Sequence, residues 1–150
     1  MAEARGYDDL IMEHIKNARG YRVLDGATHR ADGVNPLCGD EMTVYAQITG
    51  GRVAVLGYQC SCCGVSMASA SMMSEYVQGK DPAQLLNWVA AFSADLLKHA
   101  EPPDAAVDPM RHALLKTVRD LPSRTPCAAL PWAILAVALE GRRETVSVQV

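Results

Sequence analysis

The stretch MTVYAQITGGRVAVLGYQ, residues 42–59, decides the fold of this 150-residue chain. In its first half apolar residues recur at every second position: Met42, Val44, Ala46 and Ile48. A period of two is typical of a β-strand with one buried face. Gly50 and Gly51 follow, and a glycine pair permits the positive φ angles of a two-residue hairpin turn. Residues 52–59 then form the returning strand, so the sequence predicts an antiparallel hairpin.

Helical patterns lie on both sides of this hairpin. They cover residues 7–18, residues 64–79 (rich in Ala, Ser and Met), residues 82–99 with Asp81 as N-cap, residues 110–119, and an apolar helix that Cys127 opens and Gly141 ends. The Gly-containing residues 20–35 predict turns and a short edge strand near residues 28–31. Residues 142–150 predict a frayed tail, or a short strand if a partner pairs with it. The sequence thus predicts one α+β domain, residues 1–150, with a small antiparallel sheet packed against several helices.

The overall composition excludes several classes of function. A net charge of −3 provides no basic surface for nucleic acid. The longest apolar run, residues 128–139, is too short to span a bilayer, and the N-terminus lacks the apolar segment of a secretory signal. We therefore expect a cytoplasmic protein with neither nucleic acid nor membrane as a partner.

Five cysteines lie in three places along the chain. NPLCGD contains Cys38, RTPCAAL contains Cys127, and YQCSCCG contains the other three: Cys60, Cys62 and Cys63. In a cytosolic protein an odd number of cysteines favours metal binding or thiol chemistry over a disulfide framework. The alternative is that they are small buried side chains that only pack.

The hairpin topology suggests that some of these thiols meet. Cys38 and Asp40 precede the first strand, and Cys63 follows the second, so all three are expected at the same end of the hairpin. Cys127 joins them if the last helix presents its N-terminus there, where the helix dipole favours a thiolate. Three thiolates and a carboxylate suit zinc or iron rather than calcium or magnesium. Alternatively, Asp40 only makes local hydrogen bonds in its turn.

Several short segments of the sequence match motifs that occur together in one protein family. In chain order they are IMEHIKNARG, NPLCGDEMTV, CGVSMASASMM, VQGK and RTPCAALPW. The chain resembles the iron–sulfur cluster assembly proteins known as IscU, NifU and SufU, and in particular the SufU branch. Pro126 stands where IscU-type members have a histidine beside the last cysteine. Residues 101–122 match an insertion of the SufU branch, and Arg124 matches its typical arginine.

This resemblance implies a zinc site formed by Cys38, Asp40, Cys63 and Cys127. It further implies that Cys38 or Cys127 accepts persulfide sulfur from a pyridoxal-phosphate-dependent, SufS-like cysteine desulfurase, with Arg124 offsetting the negative charge of the site. The sulfur would pass to downstream iron–sulfur assembly or acceptor proteins, which would make the chain a zinc-dependent sulfurtransferase.

Two rival functions stay open. The first is a scaffold that builds and transfers a 2Fe–2S cluster on Cys38, Cys63, Cys127 and a fourth ligand, either Cys62 or Cys60. The second is a purely structural zinc domain that binds partners.

Three features depart from the family pattern or carry no predicted chemistry. Cys60 and Cys62 are extra thiols; Cys62 is a candidate ligand or persulfide relay, or else Cys60 packs in the core and Cys62 has no role. Pro131 replaces a serine. If Cys127 were the N-cap, Pro131 could not donate the first helical N–H, so the alternative is a helix that starts at Pro131 and leaves Cys127 on the preceding loop. His14 is expected to pack against the core. The other histidines are expected to be solvated: His29, His99 and His112.

Overall fold

The computed structural model describes residues 9–37, 39–142 and 145–147. Its elements in chain order are α1 (Asp9–Lys16), β1 (His29–Asn35), β2 (Asp40–Thr49), β3 (Arg52–Ser61), α2 (Gly64–Tyr76), α3 (Pro82–Leu97), α4 (Pro109–Asp120), a 3-10 turn (Pro122–Arg124), α5 (Thr125–Leu139) and β4 (Val146–Ser147). The predicted α+β class is confirmed. The part of the first predicted helix that covers Tyr7 and Asp8 lies outside the described residues.

The described strands form one sheet in the order β3-β2-β1-β4. β2 pairs antiparallel with both β3 and β1, whereas β4 pairs parallel with β1. Gly50 and Gly51 have φ angles of 61° and 75°, which is the backbone that a two-residue hairpin turn requires. The predicted hairpin is therefore confirmed.

β1 is longer than the predicted edge strand at residues 28–31, and it lies inside the sheet between β2 and β4. A glycine explains why its sequence does not look like a strand. Gly33 faces α5, and a Cβ atom there would overlap the side chain of Ile134. The close approach of helix and sheet requires a residue without a side chain at a position where a strand pattern would have an apolar one.

The predicted tail is partly described. Val146–Ser147 pair with Gly33 and Val34 of β1, so this part forms a short strand within the chain itself. Residues 143–144 and 148–150 of the tail lie outside the described residues. In the described part of the chain, no helix is both long and apolar enough to cross a membrane.

Helix α5 begins at Thr125, two residues before the predicted opening at Cys127, and it contains Pro131 in its interior, so the alternative start at Pro131 is wrong. A proline inside a helix cannot donate to the carbonyl four residues earlier, which here belongs to Cys127. Ser66 Oγ of α2 lies 3.0 Å from that carbonyl oxygen, and Ser69 Oγ of α2 donates to the carbonyl of Ala128 at 2.7 Å. The Ser66 hydroxyl thus lies where the proline removes the backbone donor to Cys127, and Ser69 adds a second contact between α2 and α5.

The histidines differ in how far the expectations hold. His14 is 3% exposed and packs against α2, as predicted. His99 and His112 are half-buried and hydrogen-bonded, to Thr125 Oγ1 and to the Pro103 carbonyl at 2.8 Å each, so the expectation that both are solvated is wrong. The hydrophobic pattern of a helix shows which of its residues face the core. It does not show that segments elsewhere in the chain, here at Pro103 and Thr125, cover His112 and His99.

Candidate metal centre

Three elements bring three potential metal ligands together. Asp40 is the first residue of β2, Cys63 is the N-cap residue of α2, and Cys127 lies in the first turn of α5. One carboxylate oxygen and the two sulfur atoms lie within 4.8 Å of one another. The sequence-based expectation that the two ends of the hairpin and the start of the last helix meet is confirmed for these three residues.

Asp40 is 4% exposed, and both of its oxygens bind to α2. Oδ1 accepts the backbone N–H of Cys63 at 3.2 Å, and Oδ2 accepts the hydroxyl of Ser66 at 3.0 Å. Cys63 makes no side-chain cap of its own, so the Asp40 carboxylate supplies the acceptor that a helix N-terminus needs. Its bonds to α2 show that Asp40 is more than a local turn residue.

Cys63 is half-buried, and its thiol is free. The hydrogen bond with the Cys127 thiol is the largest of the effects that lower the pKa of Cys63 to about 6, and the hydrogen bonds between Cys63 and Ser66 act in the same direction. Burial and the nearby Asp40 carboxylate oppose this and raise the pKa. The thiol is therefore poised to ionise near neutral pH, which suits a metal ligand.

Cys127 is fully buried, and its sulfur is not part of a disulfide. The buried side chain of Asn35 donates from Nδ2 to Cys127 Sγ at 3.8 Å. Asn35 also accepts N–H groups from the turn after β1, with its Oδ1 bonded to Leu37 at 3.3 Å and its carbonyl bonded to Gly39 at 2.9 Å. One asparagine thus connects the turn of the NPLCGD segment to the start of α5.

Sequence reasoning missed Asn35 and Ser66 as supporting residues. Ser66 is fully buried and has one hydroxyl proton but two acceptors at 3.0 Å, Asp40 Oδ2 and the Cys127 carbonyl. It can therefore serve only one of them at a time. The only available signals were that Asn35 opens NPLCGD and that Ser66 lies three residues after Cys63. Neither spacing reveals a partner on a distant element.

The donor set fits zinc. Zinc bound tetrahedrally at about 2.3 Å from sulfur needs ligand atoms about 3.8 Å apart, comparable to the 4.8 Å within which these three lie. Two thiolates exclude magnesium and calcium, which take oxygen ligands. Asp40, Cys63 and Cys127 would hold the ion. The predicted fourth ligand, Cys38, lies outside the described residues.

The remaining candidate residues lie close in sequence to these ligands. Arg124 is half-buried and immediately precedes α5. Cys60 and Cys62 form a disulfide, and both pack against the edge of the core. In this state neither sulfur offers a thiolate, so the participation of Cys62 stays a prediction for the reduced chain.

The sequence and the fold match a known class of protein. Residues 6–128 match the NifU-like N terminal domain, and the chain belongs to that family. It is 35% identical over 129 residues to the zinc-dependent sulfurtransferase SufU of Bacillus subtilis, with 86% of each chain covered. It is also 28% identical over 134 residues to the iron–sulfur cluster assembly scaffold protein IscU of Thermotoga maritima, covering 89% of this chain and 92% of the relative.

A solved structure agrees with this assignment. It is that of FiSufU, described as an iron–sulfur cluster assembly scaffold protein for the SUF system, from the thermophilic Fervidobacterium islandicum AW-1. It superposes with a TM-score of 0.77 at 26% identity, covering 91% of this chain and 98% of that chain.

Proposed function

We propose that this protein accepts persulfide sulfur from a cysteine desulfurase at a zinc site and passes it to iron–sulfur cluster assembly in the cytoplasm. The proposed ligands are Cys38, Asp40, Cys63 and Cys127. The observation that carries the proposal is the convergence of one carboxylate and two thiols within 4.8 Å. The similarity to a SufU named as a zinc-dependent sulfurtransferase supports it.

Cys38 is the better of the two candidate acceptors. Cys127 is fully buried, whereas the residues on either side of Cys38, Leu37 and Gly39, are exposed. In the transfer, the Cys38 thiolate attacks the outer sulfur of the desulfurase persulfide. A new sulfur–sulfur bond forms on Cys38, the bond within the donor persulfide breaks, and the desulfurase cysteine leaves as a thiolate.

The other residues prepare the acceptor. When bound, zinc keeps the cysteines deprotonated and protected from oxidation. The Asp40 carboxylate, oriented by Ser66 and the N–H of Cys63, is the hardest of the four donors and the one most easily exchanged. Three thiolates and one carboxylate outweigh the charge of one zinc ion, and Arg124 beside the start of α5 is suited to offset the excess.

A scaffold role is the second candidate, with a 2Fe–2S cluster as cargo on Cys38, Cys63, Cys127 and either Cys62 or Cys60. The similarity to the scaffold protein IscU of Thermotoga maritima favours it. The disulfide between Cys60 and Cys62 weighs against it, because neither sulfur can be a ligand in that state.

The first test is the metal and acid-labile sulfide content of protein purified without oxygen from cells supplied with both zinc and iron. We expect about one zinc per chain and no sulfide. Iron with matching sulfide would instead establish the scaffold.

The second test is persulfide formation with a SufS-type desulfurase and L-cysteine. It uses the Cys60→Ser/Cys62→Ser variant, in which no extra thiol can receive the sulfur. Mass spectrometry should find persulfide on this variant and none after Cys38→Ser is added in the same background. Full zinc occupancy without any persulfide would show a purely structural zinc domain.

A further inference from the structure

The disulfide between Cys60 and Cys62 has no role in the transfer described above. It closes a loop of one residue at the end of β3, and Cys63 follows it directly in the chain. The pair therefore lies in sequence beside a residue of the candidate metal centre. Cytosolic proteins rarely keep structural disulfides, and those they have are usually transient and catalytic or redox-sensing.

The register of the sheet also places the pair at the rim of the centre. Met42 pairs with Cys60 and Glu41 pairs with Ser61, so one further step would set Cys62 opposite Asp40. Side chains of directly opposed residues have Cβ atoms about 5 Å apart. The next N–H along the chain, that of Cys63, donates to Asp40 at 3.2 Å. This bond holds the two segments together beyond Glu41 and Ser61, the last residues that pair between β2 and β3.

The pair is reachable from solvent. Both cysteines are half-buried, so each keeps part of its surface exposed. The Tyr21 hydroxyl donates to the Cys60 carbonyl at 2.9 Å and anchors the backbone at this point. A thiol reagent can therefore reach the exposed part of the pair while the strand stays in place.

We propose that Cys60 and Cys62, in their reduced form, reduce the sulfur accepted by the centre and release it as sulfide. This inference rests on the proposed function, because the acceptor must first carry a persulfide. Iron–sulfur clusters contain sulfur at the oxidation level of sulfide, whereas a persulfide carries sulfane sulfur. A reducing step is therefore required between the two.

The reaction takes two exchanges. The Cys62 thiolate attacks the outer sulfur of the acceptor persulfide, so the sulfur moves to Cys62 and the acceptor is released as a thiolate. The Cys60 thiolate then attacks the Cys62 sulfur, which forms the Cys60–Cys62 disulfide and expels hydrosulfide. The sulfane sulfur gains two electrons, the two thiols lose them, and their protons end on the acceptor thiol and on sulfide.

The disulfide is the product of this reaction and must be reduced before the next one. A dithiol reductant does this by thiol–disulfide exchange and leaves as its own disulfide.

The experiment is a single turnover without external reductant. Protein is reduced with dithiothreitol, desalted without oxygen, and given one equivalent of L-cysteine with a SufS-type desulfurase. The unsubstituted chain should release about one sulfide per chain and gain the Cys60–Cys62 disulfide, seen by mass spectrometry of alkylated peptides. Cys60→Ser should release none and accumulate persulfide on Cys62. Cys62→Ser should release none and retain persulfide on the acceptor.

Controls separate this inference from the proposed function. Ser61→Ala changes the same loop without removing a thiol and should behave as the unsubstituted chain does. Equal zinc content and circular dichroism show that each variant is folded. Equal sulfide release from all variants, or persulfide on the acceptor of the unsubstituted chain with no sulfide, would overturn the inference and leave the proposed function intact. Failure of sulfur to enter any variant would overturn both.

Discussion

Helix α2 has two buried sides, and a pair of serines three residues apart lies on each. On one side, Ser66 and Ser69 contact α5. On the other, Ser71 and Ser74 contact the segment at the end of α1, where Ser71 accepts the N–H of Arg19 at 2.8 Å and Ser74 donates to the Arg19 carbonyl at 3.0 Å. All four are buried, so each must satisfy its hydroxyl within the protein.

The two pairs differ in what their partners lack. The α5 side supplies donors to a helix interrupted by Pro131 and to the Asp40 carboxylate of the metal centre. On the α1 side, the serines form hydrogen bonds with the backbone of Arg19, which lies in the turn after α1, and Ser71 also contacts the ring of His14. The same residue type at the same spacing therefore contacts the candidate metal centre on one side and the segment after the N-terminal helix on the other.

Among substitutions that distinguish the two buried sides of α2, Ser66→Ala is expected to have the largest effect on zinc affinity and stability. The substitution removes the hydroxyl that Asp40 and the Cys127 carbonyl share, so the carboxylate keeps only its bond from the Cys63 N–H. Loss of a residue that orients a metal ligand typically costs 10–100-fold in metal affinity, about what we expect for zinc here. Unfolding of the zinc-free protein should also require about 1–3 kcal/mol less free energy. Competition with a zinc chelator and urea denaturation measure the two quantities.

The matched control is Ser71→Ala on the opposite side of the same helix. It leaves the Arg19 N–H and the His14 ring without their partner, so the loss of unfolding free energy should again be about 1–3 kcal/mol. Zinc affinity should not change. An equal loss of zinc affinity in both variants would show that the two sides of α2 are not independent.

A smaller effect is expected from restoring the helical bond that Pro131 removes. In Pro131→Ala the new N–H can donate to the Cys127 carbonyl, and this carbonyl then no longer depends on Ser66. Ser66→Ala should therefore cost about 1 kcal/mol less unfolding free energy in the Pro131→Ala background. A double-mutant cycle in urea, on zinc-free protein, measures this coupling.

Ser71→Ala provides the reference for this cycle, because it shares no partner with Pro131. Its cost should be the same in both backgrounds to within about 0.5 kcal/mol. If Ser66→Ala costs as much with alanine at position 131 as with proline, the serine does not compensate for the proline.

The fold could be predicted where local pattern and tertiary packing agree. Alternation and a glycine pair predicted the hairpin, and Asp81 was correctly identified as the N-cap of α3, where it accepts the N–H groups of Ala83 and Gln84. β1 was underestimated because Gly33 is required by the approach of Ile134, a contact over a hundred residues away in the chain. The alternative start of α5 at Pro131 was wrong because Ser66, which lies against the carbonyl that the proline leaves without its helical donor, belongs to another helix.

The same distinction applies to the candidate site. Hairpin topology predicted that Asp40 and Cys63 meet, because a hairpin returns the chain to its own starting point. The hydrogen bonds that orient them, from Ser66 and Asn35, depend on how α2 and β1 pack. The Cys60–Cys62 disulfide was not predicted, since sequence spacing does not decide between a bond, two ligands and two packed thiols.

The smallest effect concerns pH, and it should be confined to the α1 side of α2. His14 Nδ1 lies 2.6 Å from Ser71 Oγ, and Nε2 lies 3.6 Å from Glu75 Oε1. Burial, with the charge of Arg19, lowers the pKa of His14 below its ordinary value of 6.5, against the opposing charges of Glu75 and Glu13. Below pH 6.5 the unfolded chain therefore binds more protons at this residue than the folded chain does.

The free energy of unfolding should consequently fall as pH drops through 6.5 towards the lowered pKa of His14. Above this pH range, His14 should not make the free energy of unfolding depend on pH. His14→Gln keeps a polar group beside Ser71 but cannot be protonated, so it should remove this part of the slope between pH 7.5 and 5. Other groups, including the candidate metal ligands, titrate in both variants, and their contribution cancels in the difference between the two urea-denaturation series. An identical slope in the two proteins would show that His14 does not couple protonation to the packing of α1 on α2.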